Sequence, residues 1–170
     1  MVEGRRELER CIAAGVAVEA IYWCPDLGGS AGRPVWFPDG VEVVEVSAPV
    51  FGKMSMRDGP DGVLGVARDL PTSLDAIELP ADPLVLVLIG IEKQGNLGTM
   101  ARSALAAGAH ALVLADPVTD AANPNAIRAS QGAIFEIAVG AASTDEVLAW
   151  LDRHGIAALA ADPGADPLWE

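Results

Sequence analysis

The 170-residue chain is predicted to fold as two consecutive α/β units, the second built on a parallel sheet. Three observations carry this expectation. Short runs rich in Val, Ile and Leu alternate with stretches of helical periodicity, the pattern of a parallel sheet with helices on both sides. A proline-bearing segment without periodicity, "LPTSLDAIELPADP" (70–83), separates the halves. Hydrophobic residues make up 51% of the chain, ample for a core and unlike a disordered sequence.

The elements follow in order. In "GRRELERCIAA" (4–14), Leu8, Cys11 and Ile12 share one helical face, and Gly15 supplies a stop. "VEAIYWCP" (18–25) is rich in β-formers and reads as a strand. "DLGGSAGRPVWFPDG" (26–40) is a Gly/Pro-rich loop. A strand "VEVVEVS" (41–47), a short helix "APVFGKMS" (48–55) and a strand "GVLGVARD" (62–69) complete the first unit. In the second unit, "PLVLVLIG" (83–90) is a continuous apolar run, as expected of a strand covered on both faces. Asn96 is placed to cap a helix through 97–107 that Gly108 ends. "HALVLAD" (110–116) is the next strand, followed by a helical "AIRASQG" (126–132) and a strand "AIFEIAVG" (133–140). "STDEVLAWLDRHG" (143–155) opens with Ser143 and Glu146 at capping-box spacing, and "IAALAAD" (156–162) reads as a fourth strand.

The net charge of −13 opposes phosphate binding unless cations gather locally. They do cluster in sequence: Arg5, Arg6 and Arg10; Lys53 and Arg57; Lys93, Arg102 and Arg128. Composition alone favours the plainer reading, that they balance neighbouring acids on solvated surfaces. No apolar run reaches membrane-spanning length, and "MVEGRRELER" lacks the apolar core of a signal peptide, so the cytoplasm is the expected compartment and no membrane partner is expected. Cys11 and Cys24 have no ligand cluster around them, which predicts free buried thiols and no metal site. His110 and His154 read as capping or satisfied histidines. Trp36 alone of the tryptophans lies in a Gly/Pro-rich loop, where an RNA-binding protein can use an aromatic ring.

"GIEKQGNLGTMARSALAAG" (90–108) suggests a phosphate-binding loop, yet Gly90, Gly95 and Gly98 fit neither the dinucleotide fingerprint nor the P-loop spacing. The turn leaves the carboxyl end of a strand, where open α/β sheets place ligands. Arg102, among small and apolar neighbours, either meets an anion or extends to solvent, and the residues alone leave both readings open.

"IEKQGNLGTMARSALAAGAHALVLAD" (91–116) and "NPNAIRASQGAIFEIAV" (123–139) resemble the first motif and following segment of the SpoU (TrmH-like) RNA ribose methyltransferases of the SPOUT superfamily. The Asn–x₅–Arg spacing, the Ala-Ala-Gly helix end and "NPNAIRAS" carry the match. "VEGRRELERCIAAG" (2–15) and "DGPDGVLGVAR" (58–68) resemble that family's N-terminal domain, a small ribosomal-protein-like α/β RNA-binding module. The resemblance implies an RNA-binding domain over 1–76 and part of a knot-type SPOUT methyltransferase domain over 77–170.

The implied activity is methyl transfer from S-adenosylmethionine to a ribose 2′-hydroxyl of ribosomal RNA, by a homodimer. Asn96 and Arg102 then fall on the catalytic positions. Guanidinium groups keep their proton, so Arg102 would clamp phosphate and stabilise the developing alkoxide. Glu92 would accept from Arg102 or RNA, or stay a solvated acid. Arg5, Arg6, Lys53 and Arg57 would contact RNA. Arg128 and Ser130 would touch phosphate or brace the first motif, packing being the equal alternative. Ala160, Ala161 and Asp162 would form one wall of the cofactor site.

The family's second motif, Gly-Asn-Glu-x-x-Gly-Leu, and its third, near a Ser-Leu-Asn-Val-Ser turn, do not occur here. The expectation is a fragment of a longer methyltransferase, clipped also at its start and inactive alone. The alternative is a truncated, non-catalytic RNA-binding module.

Overall fold

Two sheets organise the chain. The structure, a computed structural model, describes residues 1–29, 32–161 and 164. The first unit contains β1 (Val2–Glu3), α1 (Arg5–Ala13), β2 (Val18–Trp23), α2 (Pro25–Gly28), β3 (Glu42–Glu45), α3 (Ala48–Met54) and β4 (Val63–Ala67). Its sheet runs β1-β4-β2-β3, with β4 antiparallel to both β1 and β2 and β3 parallel to β2. The second unit contains β5 (Val85–Ile89), α4 (Gln94–Ala106), β6 (Ala111–Ala115), α5 (Pro124–Ala129), β7 (Ala138–Ala142) and α6 (Thr144–Arg153). Its sheet is parallel, in the order β5-β6-β7.

Local chemistry explains most boundaries. Leu8 and Cys11 bury the inner face of α1, which ends ahead of Gly15 at φ 76°. Gly65 lets α1 lie close on β4: a Cβ there would sit 2.5 Å from the Leu8 side chain. Both cysteines are free and buried, and burial pushes the Cys11 thiol up to about 11. The capping box of α6 forms as its spacing predicts, with Ser143 accepting from the Glu146 N–H and Glu146 accepting from the Ser143 N–H. The Ser143 hydroxyl holds the exposed Glu146 carboxyl below its usual range. Trp150 on α6 is wholly buried in the core that Val113, Val147 and Leu151 also line.

Four expectations need correction. The apolar run "PLVLVLIG" predicts a strand covered on both faces, but β5 is an edge strand, only partly buried, with Ile89 69% exposed. Among the described strands of this sheet the fully buried one is β6, which has a neighbour on each side. "AIFEIAVG" is not one strand. Gln131 (φ 56°) and Gly132 (φ 84°) turn the chain into a 3-10 turn at Ala133–Phe135, and β7 starts only at Ala138.

"IAALAAD" is not a strand either: residues 156–161 have no regular structure, and Ala157–Ala161 are exposed. Without a ladder of backbone bonds, alanine side chains bury too little surface to offset the entropy of ordering. The loop 26–40, finally, is not wholly irregular. It opens with α2, and Phe37 returns into the core against Trp23.

The segment between the sheets is packed rather than loose. Leu74 and Ile77 are buried against Gly140 of β7, where a Cβ would sit 2.6 Å from Leu74, and the Ala141 N–H donates to the Thr72 carbonyl. The two units also share a hydrophobic core, in which Leu8, Cys11 and Ile21 join Leu97, Leu112, Ile127 and Ile134. Arg10 crosses the junction, donating to the Gln131 carbonyl at 3.0 Å and pairing with Glu136 at 3.1 Å.

Candidate active site and nucleic-acid interface

The carboxyl ends of β5, β6 and β7 meet in a set of interlocked loops. Gly90 takes φ 60° at the exit of β5, and its N–H donates to Ala115. The Val118 and Thr119 N–H groups both donate to the Ile91 carbonyl, tying the second loop to the first. Asp116, at φ 46°, accepts from the hydroxyl of Thr144 at 2.6 Å and fixes the start of α6. Sequence reasoning misses this residue, although an Asp before Pro at a strand end signals a turn.

Helix α4 begins earlier than the sequence suggests. Lys93 occupies the N-cap position, so Asn96 lies in the first helical turn and is not the cap. Its exposed amide has no hydrogen bond among the described residues and faces solvent near the positive end of the helix dipole. Leu97, Gly98, Ala101 and Ala104 form the buried face of α4. Gly98 is the contact point with α5: a Cβ there would lie 2.5 Å from the Ala129 Cβ and the Ser130 nitrogen.

Arg102 stands about one turn beyond Gly98. It is exposed, with a single weak hydrogen bond to the Ala129 carbonyl at 3.4 Å. Glu92 does not pair with it. Helix α5 is capped by Asn123, whose side chain accepts from the Asn125 N–H. Arg128, also exposed, donates to the Asn125 side chain at 3.1 Å. Arg102 and Arg128 therefore flank the same turn.

Ser130 is 0% exposed and cannot touch RNA in this arrangement. Its hydroxyl donates to the Ile127 carbonyl at 2.7 Å and accepts from the Gly132 N–H at 3.2 Å, bracing the turn that Arg102 reaches.

The remaining expected RNA contacts divide into groups. Arg5 pairs with Glu9, Arg6 with the buried Glu7, and Arg57 with Asp61. Asp61 also accepts from the Arg5 backbone N–H, while the Arg5 guanidinium turns to Glu9 and that of Arg6 to Glu7. Lys53 is exposed in the last turn of α3. Of the 11 Lys and Arg residues, Arg33, Lys53, Lys93, Arg102 and Arg128 have no carboxylate partner among the described residues. Lys93 caps α4, Arg102 lies on α4 and Arg128 on α5; Arg102 reaches the Ala129 carbonyl, the residue after Arg128, so these two arginines meet at the α4–α5 contact without a carboxylate partner among the described residues.

Of the expected cofactor wall, Ala160 and Ala161 are exposed and irregular, and Asp162 lies outside the described residues. Ala160 lines an apolar cavity of about 350 Å³ beside Val85, Val87, Leu148 and Leu159. Among the described residues no group of His, Cys, Asp and Glu could hold a metal ion.

Residues 83–170 match the SpoU rRNA Methylase family, and residues 1–65 match the MRM3-like substrate binding domain. The chain belongs to the SpoU rRNA methylase family. A 23S rRNA (uridine(2479)-2′-O)-methyltransferase of Streptomyces viridochromogenes is 32% identical over 159 residues, covering 91% of this chain and 47% of that protein. A crystal structure of an RNA 2′-O ribose methyltransferase superposes with a TM-score of 0.73 at 37% identity, over 91% of this chain and 59% of that one. An AdoMet-bound rRNA methyltransferase from Sinorhizobium meliloti gives a TM-score of 0.75 at 27% identity, over 90% and 57%. The chain spans 47% and 34% of the length of two curated relatives it matches, roughly a third to a half.

Proposed function

We propose that the chain forms the RNA-binding and first-motif part of an S-adenosylmethionine-dependent enzyme that methylates a ribose 2′-hydroxyl in ribosomal RNA. The observation that carries this reading is the exposed Arg102, one turn beyond the Gly98 helix contact, without a carboxylate partner among the described residues and reaching the Ala129 carbonyl next to Arg128. In a chain of charge −13, arginines without such partners are suited to a phosphate backbone.

Arg102 clamps the phosphate next to the target ribose and stabilises the developing alkoxide, whose proton passes to solvent water at this exposed site. The planar guanidinium offers two parallel donors, and its own proton stays in place. Asn96, less than two helical turns nearer the strand end, orients the ribose with its free amide. Ser130 acts indirectly, by holding the turn whose Ala129 carbonyl receives Arg102.

S-adenosylmethionine supplies an electrophilic methyl group when bound. The apolar cavity beside β5 fits one flank of such a cofactor, with Ala160 in its lining and Ala161 the next residue in the chain. Arg5, Arg6, Lys53 and Arg57 extend the RNA contact over the first unit. In this reading the active assembly is a homodimer working in the cytoplasm. Separately, no helix among the described residues is long and apolar enough to cross a membrane.

The full-length protein, incubated with rRNA and tritiated S-adenosylmethionine, is expected to place label in an alkali-resistant dinucleotide, the signature of a 2′-O-methyl group. Label in a base, or none in rRNA, would overturn the assignment.

The chain divides functionally at 76/77, a reading supported by family matches lying on either side of the 70–83 segment. Because Leu74 and Ile77 are buried, limited proteolysis is expected to cut first in the exposed stretch 78–82. A first cut inside 84–115, read by mass spectrometry, would contradict this division.

A further inference from the structure

An open cavity of about 330 Å³ lies between the start of α1 and residues 33–37, away from Arg102. Its volume falls within the roughly 300–1,000 Å³ usual for small-ligand sites. Aromatic rings stand in series along it. Trp36 meets Phe37 edge-on with ring centres 4.6 Å apart, and Phe37 meets Trp23 edge-on at 6.2 Å. Trp23 and Phe37 are buried and anchor the series in the core, leaving the half-buried Trp36 as its outer ring.

One cation lies over a face of that ring, leaving the other face for a ligand, and a second lines the cavity. The Arg5 guanidinium lies 5.7 Å from the Trp36 centre. Arg33 lines the same cavity, donates to the Pro38 carbonyl at 2.9 Å and has no carboxylate partner among the described residues. The acid of the lining, Asp61, meets Arg57 and the Arg5 backbone N–H through its Oδ2, while its Oδ1 is buried without a hydrogen bond among the described residues.

An aromatic face bordered by guanidinium groups matches a flat π ring that carries a phosphate. Unpaired bases are recognised in this way, by stacking on aromatic side chains with cations along the backbone. The Arg5–Glu9 pair is a surface pair and offers little resistance to Arg5 moving toward a phosphate. We propose that this cavity receives one unpaired base of the RNA, stacked on Trp36, with the adjoining phosphate held by Arg33 and Arg5. The inference rests on the RNA reading above and adds to it a subsite separate from the methylated ribose.

The test titrates the 170-residue chain with a fluorescently labelled single-stranded RNA and with the same RNA carrying scattered abasic positions. Stacking on one aromatic side chain sets the expected scale, so Trp36→Ala should weaken binding of the intact RNA by roughly 5- to 100-fold. Trp36→Phe should keep most of the affinity. The abasic RNA should bind wild type about as weakly as the intact RNA binds Trp36→Ala, and should not distinguish the two proteins. Circular dichroism confirms that both variants fold.

Equal affinity of wild type and folded Trp36→Ala for the intact RNA would overturn the base site. If Arg102→Ala still abolished methylation in the full-length enzyme, that failure would leave the catalytic reading standing. No binding of RNA by the wild-type chain would overturn the subsite together with the RNA-binding role of the first unit. Competition by an acidic peptide lost in Trp36→Ala, with RNA affinity unchanged, would assign the cavity to a protein ligand instead.

Discussion

Arg102→Ala in the full-length enzyme is expected to lose most rRNA methylation while keeping its fold. Removing one oriented charge-stabilising group costs on the order of 10²–10³ in rate. The structure adds why stability should survive. Arg102 is exposed, makes no ion pair among the described residues, and holds only a 3.4 Å contact to Ala129. Surface substitutions of this kind stay within about 0.5 kcal/mol.

Arg102→Lys keeps the charge but loses the planar fork, so it should also be impaired. The measurement is tritiated-methyl incorporation into rRNA, with circular dichroism as control. A folded Arg102→Ala enzyme working at near wild-type rate would reduce the arginine to an ordinary surface residue.

Gly98→Val should damage stability and activity together. Even the first carbon of a side chain at Gly98 would meet Ala129 and the Ser130 backbone at 2.5 Å and the Ala126 carbonyl at 2.7 Å. Backbone atoms cannot swing aside, so α4 and α5 must separate. Overpacking of this kind typically costs about 1–3 kcal/mol, and about 2–4 °C in Tm follows each kcal/mol in a protein of this size.

Separation of the helices also moves Arg102 relative to Arg128 and Ala129. The methylation rate should therefore fall even at temperatures where the variant remains folded. Gly95→Ala serves as the control. That position is also within α4, but a Cβ added there would have nothing within 4 Å. Replacing a helical glycine by alanine there should be neutral or stabilise by roughly 0.5–1 kcal/mol. Thermal melts of the two variants decide the matter: equal effects would show that the α4–α5 contact is not the constraint.

The three glycines of this stretch show what local sequence can and cannot encode. In one dimension Gly90, Gly95 and Gly98 look like a single phosphate loop with unusual spacing. In three dimensions Gly90 turns the chain at φ 60°, Gly95 faces open space, and Gly98 admits a neighbouring helix. Only the first role is local. The other two depend on where α5 lies, and no residue near Gly98 encodes that.

The same division runs through the protein. The order of most helices and strands, the Ser143–Glu146 cap and the burial of Cys11 were legible in the sequence, because propensity, capping and periodicity act between residues a few positions apart. The family was legible because "NLGTMARSALAAG" and "NPNAIRAS" preserve chemistry at fixed spacing. Tertiary structure alone decided that the apolar β5 is an edge while β6 is enclosed, since the apolar pattern of a strand does not count its neighbours. It alone decided that Ser130 braces a turn, that 156–161 forms no ladder, and that Arg10 joins α1 to Gln131. These outcomes follow from contacts between residues far apart in the chain, where burial and hydrogen bonding depend on what packs against each group and local preference no longer governs.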